Sequence, residues 1–361
     1  MGFLRIFLAL CVVGAHTIDG PFNFGGREAV LLFYIISGFY MSLILNKKYT
    51  GPHANINFYK SRYLRLWVPY MAVLFFTVIG YTLIDYWHFY LKAYEQAPWG
   101  YGIFAGLSNI FIAGQDILWL FSTDDAGLIY HPIGNLNFNG SDLSLDSPLF
   151  SVSLEIYFYL MAPFILRSKL KTFLFASAGL IYHLALKKLG INTLDATYHL
   201  FPATIAYFGI GAMLFHVSQK PIIKKENFFL AFLILGMAAS MNSFVPRNIL
   251  LGFIVLLPFI FALTKNWSFD QMIGELSYGI YIIHWPMIKI INNLFPDYLG
   301  IGQFACVSLF TVTASIILYA VIERPLSRYR RRFADQVSLD FSDKSKRIPK
   351  DFSATSLETK R

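Results

Sequence analysis

Long apolar runs recur along this chain and leave it a narrow choice of folds. Hydrophobic residues make up 56% of its 361 residues, and charged residues only 14%. Lipid offers no hydrogen bonds to exposed backbone groups, so runs of this length cross a bilayer as helices. The composition therefore predicts an all-α fold, a polytopic integral membrane bundle, rather than a soluble domain.

About ten transmembrane helices are expected from these runs. Several runs are shorter than the roughly 20 residues of a typical span, which tilt or burial within the bundle would accommodate. We expect a membrane domain over residues 1–332 and, from its polar composition, a disordered cytoplasmic tail over residues 333–361. The helices are predicted near residues 3–18, 29–46, 66–87, 149–166, 172–186, 199–217, 228–243, 248–264, 276–295 and 303–322.

Lys and Arg give the chain a formal charge of +9 and lie mainly in short segments between the apolar runs and in the tail. Such clusters mark cytoplasmic segments of membrane proteins, so the charge does not predict nucleic-acid binding. The clusters after the second, fourth, sixth and tenth helices share one side if both termini are cytoplasmic. The exceptions to this pattern are Lys187, Lys188 and Arg247.

One long stretch is expected outside the cytoplasm, because no Lys or Arg occurs between Lys92 and Arg167. Residues 101–121 are apolar enough to form a re-entrant or interfacial helix, or alternatively a true span. Residues 122–148 are rich in Asp, Asn, Gly and Ser, which predicts a loop that a polar acceptor could reach.

Two polar side chains in the first apolar run indicate a functional site. Arg5 and His16 are eleven residues apart, which puts them on one helical face and about 16 Å apart along its axis. Charged and titratable groups inside a bilayer are costly and usually functional. An imidazole suits general-base chemistry. A cleavable signal ending near Ala15 is the alternative that would remove this pair.

A second candidate site is a pair of arginines before the third helix. Arg62 and Arg65 are three residues apart and so are neighbours on one helical face. Two guanidinium groups facing one way can bind phosphate in fork geometry. The competing interpretation is ordinary positive-inside topology or binding of lipid head groups.

Three further polar residues lie inside predicted helices. Glu155 is the only carboxylate of the fourth helix, and at its expected depth it should face the bundle interior beside His16, whose tautomer it could fix. Ser37 precedes Gly38 in a segment suited to close helix packing, which is a better account of it than a nucleophile. Ser37 and His284 are candidates for lining the same cavity. The cysteines, Cys11 and Cys306, predict neither a disulfide framework nor a metal site.

Taken in order, these segments resemble the type-3 membrane acyltransferase family, which includes O-antigen and exopolysaccharide O-acetylases. Phe150 stands where the family usually has Trp. The matching segments are the Arg-x10-His pair at Arg5 and His16, the run from Gly25 to Phe39, Arg62 and Arg65 before a proline, LFSVSLEIYFYLMAP around Glu155, SYGIYIIHWP around His284, and IERP at residues 322–325.

The resemblance implies O-acyl transfer, most simply of acetyl, from cytoplasmic acyl-CoA to a hydroxyl of a surface polysaccharide or lipid-linked glycan, as in lipopolysaccharide or exopolysaccharide biosynthesis. It implies His16 and Glu155 as catalytic residues and Arg5, Arg62 and Arg65 as acyl-CoA ligands. No bound cofactor or metal is expected. The expected partners are acyl-CoA, the glycan and lipids of a bacterial inner membrane. The alternatives are a transporter or flippase of a polar or lipid-linked solute and, last, a non-catalytic scaffold.

Overall fold

The computed structural model describes residues 1–18, 25–124, 127–130, 138–219, 225–241 and 245–333. Within these ranges the chain is a helical bundle with one small sheet. Its α-helices are α1 Gly2–Ala15, α2 Gly26–Lys47, α3 Ala54–Leu83, α4 Trp87–Gln96, α5 Trp99–Phe111, α6 Gln115–Leu118, α7 Phe150–Ile165, α8 Lys169–Leu189, α9 Phe201–Ser218, α10 Lys225–Ser240, α11 Arg247–Thr264, α12 Ser268–Leu294 and α13 Gly300–Leu318.

Each of the ten predicted helices has a counterpart among these, namely α1–α3 and α7–α13. Among the described residues, six helical segments are long and apolar enough to cross a membrane by length and composition: α2, α3, residues 147–165, residues 195–218, α11 and residues 300–333. The chain is therefore an integral membrane protein by these criteria, and ten spans remain a prediction. The predicted tail lies outside the described residues, apart from its first residue, Phe333, which is helical.

Two helices begin well before their predicted positions. The apolar run suggested a start near residue 66 for α3 and near 276 for α12, whereas these helices begin at Ala54 and Ser268. Their first turns carry polar and charged side chains, which hydropathy does not register but which are compatible with helix formation outside the lipid. As a result, Arg62 and Arg65 lie within α3 rather than ahead of it.

Close backbone contact between α2 and α9 forms the centre of the bundle. A Cβ atom on Gly38 would lie 2.0 Å from the carbonyl oxygen of Phe208, and one on Gly211 would lie 1.9 Å from that of Ile35. Only glycine fits at such distances, as in other small-residue helix interfaces of membrane proteins. The close packing expected at Ser37-Gly38 is confirmed.

The stretch expected outside the cytoplasm is ordered over much of its length. It contains the end of α4, the whole of α5 and α6, and three antiparallel strands, β1 Phe121–Asp124, β2 Gly127–Tyr130 and β3 Phe138–Asn139, in the order β2-β1-β3. The expectation of a plain loop over residues 122–148 is wrong where these strands form, and the small sheet is an addition to an otherwise all-α bundle. The thirteen residues of α5 extend about 20 Å, shorter than the roughly 30 Å hydrocarbon core, which favours the re-entrant or interfacial alternative for residues 101–121 over a full span.

Polar contacts bind this ordered stretch to the bundle. The Asp116 carboxylate of α6 accepts hydrogen bonds from Ser153 Oγ at 2.7 Å and from Tyr157 Oη at 2.9 Å on α7. The Asn109 side-chain oxygen accepts from Gln115 Nε2 and from the Leu145 N–H, both at 3.0 Å. These bonds satisfy buried polar groups and hold the start of α7 in place.

Candidate functional site

Two cavities of similar size lie at opposite ends of the bundle. The first, which we call the Arg5 cavity, has a volume of about 450 Å³. The second, the His16 cavity, has a volume of about 460 Å³. Both are within the roughly 300–1,000 Å³ typical of small-molecule sites. Val30 and Tyr281 line both cavities, so the wall between them is about one side chain thick.

The Arg5 cavity brings together the three predicted arginines. Arg5 from α1 and Arg62 and Arg65 from α3 all line it. The Arg65 guanidinium lies 3.5 Å from the Glu275 carboxylate of α12. Arg62 is buried, and its Nε has no hydrogen-bond partner among the described residues. A buried guanidinium with unused donors is suited to an anionic ligand.

The position of Arg5 depends on how α1 begins. The N–H groups of Gly2 and Phe3 donate to the Asp270 carboxylate of α12, at 2.8 Å and 3.0 Å. The first amides of a helix have no partner within it, and a carboxylate there also interacts favourably with the helix dipole. This contact fixes the first turn of α1 against α12, and Arg5 lies one turn further on.

Glu155 also lines the Arg5 cavity, where it accepts hydrogen bonds from Ser37 Oγ and from Tyr159 Oη, the latter at 2.6 Å. The structure does not bring Glu155 beside His16. Glu155 lies one turn, about 6 Å, beyond Ser151, whose hydroxyl bonds the Tyr281 hydroxyl at 2.6 Å in the wall between the cavities. Glu155 is thus on the Arg5 side of that wall and is not placed to orient the imidazole.

His16 follows the last turn of α1, and its side chain is exposed at the His16 cavity. Its ring centre lies 5.1 Å from that of Trp285, in edge-on contact, and 5.5 Å from that of His284. His284, a candidate for lining a cavity, is fully buried and lines neither of these two cavities. It packs behind His16 instead, with Nδ1 against the Tyr281 carbonyl oxygen.

The same cavity is also lined by a histidine, His199, which is paired with an aspartate, Asp195. Neither residue is predicted from the sequence as part of a site. Asp195 and His199 form a single π-helical turn between α8 and α9, and His199 lines the His16 cavity. Nδ1 of His199 lies 2.9 Å from the Asp195 carboxylate. The only signal in the sequence was an Asp-x3-His spacing in a short polar connection, which by itself is common.

Phe150, which departs from the family pattern, lies in the wall of this cavity. Its ring contacts those of Trp119 and His199 edge-on, at centre distances of 5.4 Å and 4.9 Å. The aromatic wall is therefore complete without a Trp at position 150, because Trp119 from α6's end lines the same cavity.

The sequence of this chain is similar to those of known proteins. A sequence model described as an acyltransferase domain matches residues 1–320. An uncharacterized protein of Aquifex aeolicus (strain VF5) is 25% identical over 201 residues, which are 51% of this chain and 88% of that protein. No solved structure matches the chain.

Proposed function

The chain belongs to the acyltransferase 3 family and is a membrane acyltransferase, and from this we propose that it moves an acetyl group from acetyl-CoA, across the bundle, to a hydroxyl of a cell-surface or lipid-linked glycan. The observation that carries the proposal is the pair of cavities at opposite ends of the bundle, whose linings share Val30 and Tyr281. Donor and acceptor can thus approach from opposite faces of the membrane.

The Arg5 cavity is the proposed donor site. Acyl-CoA carries several phosphate charges, and the guanidinium groups of Arg5, Arg62 and Arg65 offer forked donors that match phosphate oxygens. The Lys and Arg distribution of the sequence supports a cytoplasmic position for this cavity in a bacterial inner membrane. Acyl-CoA would then bind on the side of the membrane on which it is made.

The His16 cavity is the proposed acceptor site. His16 would take the proton of the acceptor hydroxyl as its oxygen attacks the thioester carbonyl carbon. The carbon–sulfur bond then breaks, and the proton leaves with the sulfur as the free thiol of CoA. In a two-step variant, His16 accepts the acyl group first and the hydroxyl displaces it. Both variants give one ester and one CoA thiol for each turnover.

Glu155 is assigned a positioning role on the donor side. Its carboxylate holds the Ser37 and Tyr159 hydroxyls in the Arg5 cavity, next to the wall that the thioester must pass. The acyl group has to travel roughly the 16 Å that separate Arg5 from His16 along α1. An extended pantetheine arm reaching through the wall at Tyr281 would deliver it.

The test uses the purified chain in proteoliposomes with radiolabelled acetyl-CoA and extracted lipid-linked glycan. Wild-type protein is expected to release free CoA and label the glycan. His16→Ala should lower labelling about 10²-fold or more, the usual effect of losing a general base, while CoA still raises the thermal stability of the protein. His88→Ala, an 82% exposed histidine side chain on α4, is the matched control and should label normally.

Two results would contradict the proposal. Full labelling by His16→Ala would remove the catalytic role of this imidazole. An intact thioester with wild-type protein, together with movement of the glycan across the membrane, would favour the transporter or flippase alternative.

A further inference from the structure

The Asp195–His199 pair is buried, yet it adjoins the open His16 cavity. Asp195 is 6% exposed and His199 is 3% exposed, while His199 remains one of the residues that line the cavity. The rings of Trp119 and Phe150 lie 4.6 Å and 4.9 Å from the imidazole, centre to centre. The imidazole is therefore held in one place and one orientation by contacts on several sides.

The Asp195 carboxylate sets the tautomer of the His199 imidazole, and the tautomer determines what Nε2 can bind. The Asp195 carboxylate accepts a hydrogen bond from Nδ1–H of His199, and in this tautomer of the neutral imidazole Nε2 is a hydrogen-bond acceptor. No hydrogen bond joins Nε2 to another of the described residues, whereas Nδ1 is used by Asp195 at 2.9 Å. The site therefore presents a fixed acceptor that requires a donor, and a hydroxyl group is a neutral donor of the right size.

The remaining walls favour a ligand with an apolar face. Trp119 and Trp285 both line the His16 cavity, and aromatic faces pack well against flat apolar surfaces while polar groups around them fix orientation. A sugar ring has this combination, since its C–H faces are apolar and its hydroxyls point outward around the rim. Its other hydroxyls could then face His16 across the cavity.

We propose that His199, oriented by Asp195, binds a hydroxyl of a carbohydrate acceptor whose ring packs against the tryptophans of the His16 cavity. This inference rests on the proposed function and deepens it, because it assigns the residue that positions the sugar for acyl transfer at a neighbouring hydroxyl. His199 is a binding and positioning residue here, and the acyl transfer itself remains with His16.

The competing explanation is that the pair only stabilises the turn before α9. Two substitutions separate these roles, because the amide of Asn overlays Nδ1 and that of Gln overlays Nε2. His199→Asn can keep the bond to Asp195 but loses the acceptor that faces the sugar. His199→Gln can present an amide oxygen near Nε2 but loses the bond within the turn.

The experiment measures glycan labelling by radiolabelled acetyl-CoA in inside-out membranes that contain the host's own lipid-linked glycans. His199→Asn is expected to lower labelling about tenfold to a hundredfold, the range for one lost hydrogen bond in a binding site, and His199→Gln to retain clearly more. Stabilisation of each purified variant by CoA should match that of wild type, since the Arg5 cavity is untouched.

Other outcomes are equally decisive. If His199→Asn labels the glycan normally while His199→Gln loses labelling, the assignment of His199 is overturned. Wild-type labelling by both variants overturns it as well. If CoA stabilises neither His199 variant, both are misfolded, and Asp195→Ala is tested in their place. This substitution keeps the imidazole of His199 but removes the carboxylate that orients it. That variant should lose about tenfold in labelling, and full labelling overturns the proposal. If wild-type membranes label no glycan, the proposed function fails and this assignment fails with it.

Discussion

At the scale of single residues, three guanidinium groups from two helices line the Arg5 cavity. The spacing and charge of Arg5, Arg62 and Arg65 indicate such a site in the sequence. The sequence did not indicate that Glu275 of α12 would meet Arg65 at 3.5 Å, because that contact joins residues more than two hundred positions apart. Contacts of this length in sequence follow from helix packing and not from local pattern.

Arg65→Ala should weaken binding of acyl-CoA about tenfold to a hundredfold, the range for losing a charge-assisted contact to phosphate. The affinity is measured by titrating the purified protein with CoA and recording the rise in its apparent Tm. Lys60→Ala is the matched control, since Lys60 is an exposed cation on the same helix that lines neither cavity. Equal weakening by both would show that the surface charge of α3, and not the cavity, attracts CoA.

Asp146 gives a prediction about pH. It precedes α7 and is only 3% exposed, and neither carboxylate oxygen has a hydrogen-bond partner among the described residues. Burial raises the pKa of this carboxyl well above its usual range. The folded state therefore holds a proton that the unfolded chain releases above about pH 4, so Asp146 makes the fold less stable as pH rises beyond that value.

Asp146→Asn removes this titration and should therefore gain stability relative to wild type as pH increases. The measurement is the apparent Tm of both proteins in detergent between pH 5 and about pH 8, the range in which most proteins are most stable. A Tm difference that stays constant across this range would contradict the argument.

At the scale of elements, the apolar runs located the main helices but not their polar ends or their neighbours. Hydropathy gave no reason to pair α2 with α9 rather than with another helix. The pairing depends on glycines whose missing side chains let two backbones meet, as at Gly38 and Gly211. The small sheet was missed because its strands are short, four residues or fewer, and lie in a segment rich in turn-forming residues.

Gly211→Ala should destabilise the bundle by about 1–3 kcal/mol, because its new methyl group would overlap the Ile35 carbonyl oxygen at 1.9 Å. Gly252→Ala on α11 is the matched control, since a Cβ there meets nothing within 4 Å. Because alanine has a higher helix propensity than glycine, Gly252→Ala should leave the stability of the bundle unchanged or raise it slightly. Thermal unfolding in detergent compares the two, and an equal effect of both would contradict the close contact of α2 and α9.

At the scale of the whole molecule, the proposal requires a definite orientation. The Arg5 cavity should face the cytoplasm and the His16 cavity the opposite side. The reason is that Arg62 and Arg65 belong to the cluster of Lys and Arg after α2, and such clusters mark the cytoplasmic side. The connection before α9, which contains His199, should then lie outside the cytoplasm.

Labelling of single cysteines in intact cells tests this orientation. With Cys11 and Cys306 replaced by alanine, a membrane-impermeant maleimide should react with Asn192→Cys and leave Lys60→Cys unlabelled. Both positions are exposed, and they lie on opposite ends of the bundle. Disruption of the cells should expose Lys60→Cys to the reagent. The reverse pattern would place acyl-CoA binding on the wrong side and contradict the proposed direction of transfer.

By itself the sequence determined the membrane class, the rough position of the main helices and the family, because hydropathy and short motifs are local properties of the chain. The tertiary structure alone decided which polar groups share a cavity. It separated Glu155 from His16, buried His284 outside both cavities, and brought His199 with Asp195 to the His16 cavity. The physical reason is that a helix fixes depth and face for its own residues, while the rotation of each helix against its neighbours is set by packing between distant segments.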